Sequence, residues 1–161
     1  MNPTLAFNLQ IGFGAIVCAI VAKSFVWPKL KVLPLNMALL PLLLVSCARF
    51  LGLTFIVGNL NPGLPEKFAT SVGYGDFAAA VIALLAVIAV IKMPDMAKGF
   101  AWLYAIFGAL DFLYGVYLAT VLDVYSSLGV SWLVMIVVGP IQIMTMIMLW
   151  ALLLRKQNPV M

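Results

Sequence analysis

The chain has 161 residues, of which 66% are hydrophobic and 9% are charged, and its formal net charge is +4. Soluble domains contain about 45–50% apolar and about 25% charged residues, so a soluble core of this size could not bury the excess apolar surface. The composition therefore excludes a soluble protein. It predicts a single domain over residues 1–161, built as an all-α bundle of transmembrane helices.

The residue types exclude several kinds of chemistry. Histidine is absent, which removes the commonest general base, zinc ligand and haem ligand. Cys18 and Cys47 lie apart in apolar stretches, so we interpret them as reduced thiols. Only Glu66, Asp76, Asp111 and the tyrosines remain for acid–base work. We therefore expect no metal and no cofactor, and these residues favour a non-catalytic protein over an enzyme.

Five stretches are long and apolar enough to cross a bilayer, since a span needs about 20 apolar residues. In chain order the predicted spans are 5–26, 33–57, 68–91, 99–122 and 129–154. Turn-forming residues separate them at 27–29, 59–63, 93–95 and 126–129. These connections are short, which predicts antiparallel neighbours. The first stretch has no basic segment before it and no cleavage site after it, so we expect a retained span.

Basic residues in the connections, in the tail and near the ends of the spans predict the orientation. Lys67 is the one basic residue in the second and fourth connections, whereas seven lie in the first and third connections and the tail. By the positive-inside rule, the N-terminus is outside and the C-terminus cytoplasmic. The surplus positive charge predicts contact with anionic lipids, not nucleic acid. The seven residues are Lys23, Lys29, Lys31, Lys92, Lys98, Arg155 and Lys156.

Three charged residues, Arg49, Asp76 and Asp111, lie deep within predicted spans. Each costs several kcal/mol in the bilayer unless it is paired or hydrated. A count of residues places all three in one layer, about 12–17 Å below the outer boundary. We predict a buried polar network, with Arg49–Asp76 as the preferred pair and Asp111 second. Two interpretations stay open: a structural clamp between helices, and a polar cavity for a proton, ion or small solute.

Further residues near this layer are candidates for ligand binding or for helix packing. On the fourth span, Tyr104, Gly108 and Asp111 share a helical face, and small residues there allow close packing. In the fifth span, Gln142 follows Pro140, which frees a backbone carbonyl for a polar neighbour. The full set of candidates is Gly73, Tyr74, Gly75, Tyr104, Tyr114 and Gln142.

The string Ser-Val-Gly-Tyr-Gly-Asp at residues 71–76 resembles the selectivity filter of potassium channels, in which backbone carbonyls replace the hydration shell of the ion. The resemblance implies a channel-like pore through residues 72–76. Two features oppose it. There is no room for a pore helix before the string, and residues 77–91 would form only about 22 Å of helix. Inclusion of the string in the third span, straight or bent, repairs that length.

A second resemblance rests on Leu64-Pro65-Glu66-Lys67-Phe68-Ala69, on Gly73-Tyr74-Gly75-Asp76 and on Leu110-Asp111. Over roughly residues 45–120 the chain is similar to a family of small uncharacterised bacterial membrane proteins. Their G-x-G-D motif opens a helix, and a leucine–aspartate pair follows in a later helix. The resemblance implies a multi-pass protein of the bacterial inner membrane and supplies no activity. In this arrangement Asp76 would cap the third helix and face Arg49.

These observations favour one function and leave others open. The favoured hypothesis is a non-catalytic subunit or scaffold that packs with other membrane proteins or with copies of itself. The alternative is a transporter of a small solute or ion that uses Arg49, Asp76 and Asp111, although no inverted repeat is visible. A potassium-channel-like pore and an intramembrane enzyme acting on a lipid-soluble substrate are weaker alternatives.

Overall fold

A computed structural model of the chain describes residues 2–155. Within this range there are five helices long and apolar enough to span a membrane, and no strand. The prediction of an all-α, multi-pass bundle is therefore confirmed. Lys156, which contributed to the predicted orientation, lies outside the described residues. The helices are α1 (Pro3–Leu30), α2 (Leu35–Ile56), α3 (Glu66–Lys92), α4 (Pro94–Val121) and α5 (Ser131–Leu154).

Helix α1 continues through Pro28, where the sequence predicted a turn. Proline lacks the backbone N–H and its ring collides with the carbonyl four residues earlier. The chain accommodates Pro28 by a π-helical turn at Ala22–Val26, followed by a last α-helical turn at Trp27–Leu30. In a π-turn each hydrogen bond spans five residues instead of four, so the turn is wider than an α-turn. The chain then does not need the hydrogen bond that proline cannot donate. The helix therefore extends beyond the predicted span.

Helix α2 changes its winding near the middle. It is α-helical over Leu35–Cys47 and continues as a 3-10 helix over Ala48–Ile56. A 3-10 helix has about three residues per turn, so residues three apart share a face. Its buried residues are Arg49, Gly52 and Phe55, which have this spacing. The predicted span over 33–57 did not include this change of winding.

The packing combines neighbours in the chain with helices that are far apart in it. Helix α3 packs along α4 and against both parts of α2, and α5 packs against α2 and α1. Helix α1 is held by α5 and by the turn at Val124–Ser126. Over its first part, Pro3–Val21, Phe7 is its buried residue. Helix α1 is thus a peripheral helix that presents most of its surface outward.

Hydrogen bonds show which helix ends lie together. The Arg155 guanidinium donates to the carbonyls of Lys31 (2.6 Å) and Leu33 (3.3 Å), and the Asn36 amide donates to the carbonyl of Pro94 (3.5 Å). The C-terminal ends of α1 and α5 therefore meet the starts of α2 and α4. We call this the basic end of the bundle. Its basic residues are Lys23, Lys29, Lys31, Lys92, Lys98 and Arg155.

At the opposite end, the buried side chain of Asn61 links two helices. Its Nδ2 donates to the carbonyl of Thr54 (2.6 Å) and more distantly to that of Phe55 (3.4 Å), and its Oδ1 accepts from the backbone N–H of Ser131 (3.1 Å). The chain passes beside Asn61 at Gly129, whose φ is +52° and where a Cβ would lie 2.9 Å from the Cα of Asn61. These contacts hold the end of α2 against the start of α5.

We expect Asn61→Ala to destabilise the protein, because it leaves buried carbonyls and a backbone N–H without partners. The expected loss in the free energy of unfolding is about 2–4 kcal/mol. The measurement is denaturant unfolding in detergent micelles, followed by circular dichroism. Asn59→Ala is the matched control because Asn59 is exposed. Equal stability of the two variants would contradict the linking role of Asn61.

Candidate functional site

The guanidinium of Arg49 joins three helices. Its Nε donates to Oδ1 of Asp76 at 2.8 Å, and Nη2 lies 2.6 Å from the same oxygen. Nη2 also pairs with the carboxylate of Asp111, and Nη1 donates to the carbonyl of Gly108 at 3.0 Å. The Arg49 side chain is only 6% exposed. Sequence analysis ranked Asp111 behind Asp76, whereas the structure places both carboxylates on the same guanidinium.

The depth of the three residues follows from the winding of their helices. Arg49 lies seven residues before the end of α2, in the 3-10 part, which at about 2.0 Å per residue gives about 14 Å. Asp76 and Asp111 each lie ten α-helical residues from the same end of the bundle, which gives about 15 Å. The three charged groups therefore lie at about the same distance from this end of the bundle, as the residue count predicted.

Two glycines make room for the two carboxylates. A Cβ at Gly52 of α2 would lie 2.8 Å from the carboxyl carbon of Asp76, which is too close for a real contact. A Cβ at Gly75 of α3 would overlap the carboxylate of Asp111. Each carboxylate thus occupies the space that a side chain on the neighbouring helix would need.

Two further glycines bring the helices close together. A Cβ at Gly108 of α4 would lie 3.1 Å from Nη1 of Arg49 and 3.0 Å from the methyl group of Met146. A Cβ at Gly73 of α3 would lie 2.6 Å from the side chain of Ile56. Gly108 therefore leaves its carbonyl open to the guanidinium, and Gly73 lets α3 approach the 3-10 segment.

The tyrosine candidates divide into two groups. Tyr104 is 1% exposed and lies beside Gly108, and its hydroxyl has no hydrogen-bond partner among the described residues. Tyr74 and Tyr114 are 61% and 46% exposed and point away from the cluster, and Tyr114 stacks on Tyr117. The structure therefore brings Tyr104 to the buried layer and leaves the other two on the outer surface of the bundle.

Gln142 connects α5 to α2. Its Nε2 donates to the carbonyl of Val45 at 2.9 Å, next to the point where α2 changes to a 3-10 helix. It therefore satisfies a carbonyl of another helix, not the one that Pro140 frees in its own helix. Gln142 therefore ties α5 to α2 close to the start of the 3-10 segment.

The string at residues 71–76 is regular α-helix. Helix α3 begins at Glu66, directly after Pro65, and runs without interruption to Lys92. Its carbonyls hydrogen-bond along the helix, so they are not free to replace water around an ion. The structure therefore does not support a filter-like pore. The G-x-G-D motif does not open the helix, and Asp76, ten residues beyond Glu66, does not cap it.

A cavity of about 280 Å³ borders the charged cluster. This volume is close to the lower limit of small-molecule pockets, about 300 Å³. Its walls are mainly apolar and come from all five helices. The side chains with polar groups that line it are Asn8, Arg49, Asp76, Asp111, Tyr125 and Gln142.

The cavity opens sideways between α1 and α4. Its exposed lining residues are Asn8 on α1 and Phe112 and Val116 on α4. Helix α1 leans on α5 and the 124–126 turn, so α4 has no extensive packing with it. In a bilayer this mouth would face the hydrocarbon region. The sequence indicated Arg49, Asp76, Asp111 and Gln142 but neither Asn8 nor the mouth, because α1 carries no charged residue at that level.

The chain belongs to the family described as "Domain of unknown function (DUF8737)", whose model matches residues 6–154. The match includes nearly the whole of the five helices and agrees with the expectation of an uncharacterised family. No curated protein matches the chain, and no solved structure matches it.

We expect Gly75→Ala to disrupt the cluster. In a helix interior, this change normally adds about 1 kcal/mol of stability. Here the new methyl group would displace Asp111 from Arg49, so the free energy of unfolding should fall by about 3 kcal/mol. Chemical unfolding in micelles measures this change. Gly99→Ala on α4 is the control, since no atom lies within 4 Å of its Cβ position. A stabilising Gly75→Ala would refute the steric argument.

A double-mutant cycle tests the pairing of Arg49 with Asp76. Asp76→Ala leaves a buried guanidinium less well paired and should cost about 3–5 kcal/mol. Arg49→Ala should cost at least as much, because two carboxylates lose their partner. The double variant should lose less unfolding free energy than the two single variants together. The difference is the coupling energy, which should be about 1–3 kcal/mol. Asp95→Ala, at an exposed position, is the control. Additive losses would mean that the contact contributes nothing.

Proposed function

We propose that this member of a family of unknown function is a non-catalytic membrane carrier, which binds a small solute or ion beside Arg49, Asp76 and Asp111. One observation carries the proposal: a cavity of about 280 Å³ borders all three charged groups. A clamp between helices needs pairing but no free space, and protein interiors are normally filled. Charged residues inside membrane proteins commonly mark the path of a solute or ion.

The charges of the cluster support a cationic cargo. One guanidinium faces two carboxylates, so the ionised cluster has a net charge of −1. Each carboxylate also keeps an oxygen that makes no hydrogen bond within residues 2–155, namely Oδ2 of Asp76 and Oδ1 of Asp111. A net charge is costly at this depth. A proton or a cationic solute would neutralise it, whereas an anion would increase it.

The proposal includes an orientation and a location. The basic end of the bundle would face the cytoplasm, with the N-terminus outside, because the positive-inside rule relates basic loops to the cytoplasmic side. The resemblance to bacterial proteins with a G-x-G-D motif favours the bacterial inner membrane. The cavity would then lie in the outer half of the bilayer, and anionic lipids would contact the basic end.

A subunit or scaffold is the second candidate, and a specific observation favours it. Arg49 is paired on α2, α3 and α4 at once, as a clamp that sets helix register would be. Helix α1 also presents large exposed apolar side chains, among them Phe13 and Ile16, to which another membrane protein or a second copy could pack. On this reading the cavity is incidental and closed to solutes.

Thiol labelling separates the two candidates. In a chain with Cys18 and Cys47 replaced by alanine, Val138→Cys places a thiol in the cavity wall. A carrier exposes its cavity to both sides in turn. We therefore expect a small, cationic, membrane-impermeant thiosulfonate to label this thiol in both right-side-out and inside-out vesicles.

Ile147→Cys is the matched control, because it lies on the same helix but is exposed outside the cavity. In hydrocarbon its thiol should stay protonated and unreactive. Protection of Val138→Cys from both sides, equal to that of the control, would overturn the carrier and favour the scaffold. The readout is the mass of the labelled protein.

A further inference from the structure

We propose that the cavity takes a hydrophobic monocation: a protonated amine on an apolar body, which enters from the lipid between α1 and α4. This inference rests on the proposed carrier function and names its class of cargo. Three features of the cavity carry it: the state of the polar groups, the nature of the walls and the position of the mouth.

The polar groups select a cation that donates hydrogen bonds. The guanidinium of Arg49 already donates to Asp76, Asp111 and the carbonyl of Gly108. The Nε2 of Gln142 is likewise used by a backbone carbonyl. The other donors that line the cavity, the Asn8 amide and the Tyr125 hydroxyl, are uncharged, so an anionic head would meet no free positive charge. Both carboxylates line the cavity, and together they carry one more charge than Arg49 neutralises. An ammonium group offers three donors and one positive charge.

The walls select an apolar body of limited size. A cavity of about 150 Å³ holds one benzene molecule, so about 280 Å³ holds about a dozen non-hydrogen atoms. Aromatic rings form part of the wall, and their faces attract cations as well as apolar groups. They come from Phe7, Phe55, Phe68, Phe112 and Tyr125.

The mouth selects entry from the lipid. Phe112 and Val116 border it on α4 and are 37% and 47% exposed on the apolar surface of the bundle. Gly115, one helical turn beyond Asp111, lines the cavity without a side chain, and a Cβ there would make only ordinary contact with Val72 at 3.5 Å. An amphiphilic amine dissolved in the bilayer would reach this opening directly, with its head towards Asp111.

The test compares three probes of similar shape: 4-phenylbutylammonium, pentylbenzene and 4-phenylbutanoate. Binding is measured by scintillation proximity with tritiated probes and the full chain in phosphatidylcholine nanodiscs, after subtraction of empty nanodiscs. We expect at least tenfold greater retention of the amine than of the neutral or the anionic probe. Equal retention of the three, preference for the anion, or no retention of the amine would overturn the inference.

Variants locate the site and its entrance. Gly115→Leu should fill the cavity and reduce amine retention at least tenfold, whereas Gly12→Leu, with no atom within 4 Å of its Cβ position, should not. Val116→Trp at the mouth should slow amine uptake at least tenfold, and Val121→Trp, exposed farther along α4, should not. Equal amine retention by Gly115→Leu and Gly12→Leu would overturn the assigned site. Equal rates of amine uptake by Val116→Trp and Val121→Trp would overturn the lateral route.

The two proposals fail in different ways. If the Val138→Cys thiol is labelled from both sides but the amine is not preferred, the carrier stands and the cargo class is wrong. If that thiol is protected from both sides, the carrier itself is wrong, whatever the nanodiscs retain. Amine retention that depends on Gly115 and Val116, with labelling from both sides, would support both.

Discussion

A single guanidinium in a low-dielectric layer is the constraint on which the bundle depends. In hydrocarbon Arg49 is tolerable only where carboxylates and carbonyls meet it, and these come from α3 and α4. Its pairing therefore sets how far each helix is shifted along its neighbours. Van der Waals contacts hold apolar helix faces together in lipid, but the hydrophobic effect does not, because lipid tails are as apolar as the side chains. The polar contact supplies the register that apolar packing leaves open.

The cluster is compact because of glycines and of the 3-10 winding of α2. Gly52 and Gly75 leave room for the carboxylates, and Gly108 exposes a carbonyl to the guanidinium. The 3-10 segment keeps Arg49, Gly52 and Phe55 on one face towards α3, which an α-helix would have spread. The buried charge network and the close packing of the helices thus depend on the same two features, the glycines and the 3-10 winding of α2.

The cavity remains because α1 is attached only along one side. Gln10 accepts a hydrogen bond from the Trp132 indole at 2.7 Å, and the Phe7 ring contacts Trp132 and Tyr125. These contacts hold α1 to α5 and to the nearby turn, but not to α4. The space between them therefore opens towards lipid beside Asp111. Because α1 packs only on α5 and the nearby turn, the charged cluster lies beside an opening that a molecule dissolved in the membrane could reach.

The residues at 71–76 show how context overrides a local string. Their order matches a channel filter, yet the apolar run after them is too short to cross a bilayer without them. Lipid offers no partners for unpaired backbone groups, so a continuous helix from Glu66 satisfies them best. The same demand explains α1, where a π-turn preserves the helix around Pro28. The turn expected at Pro28 is therefore wrong, and the filter-like alternative at residues 71–76 lacks support, for one physical reason.

By itself, the sequence determined that the chain is a bundle of five apolar helices and that one arginine and two aspartates lie within them. These features depend on composition and on distance along the chain. Only the tertiary structure decided that both carboxylates share Arg49, that α2 tightens from Ala48 and that a cavity opens between α1 and α4. The rotation of each helix and the space left between helices depend on contacts among residues far apart in the chain. Local periodicity carries no information about those contacts.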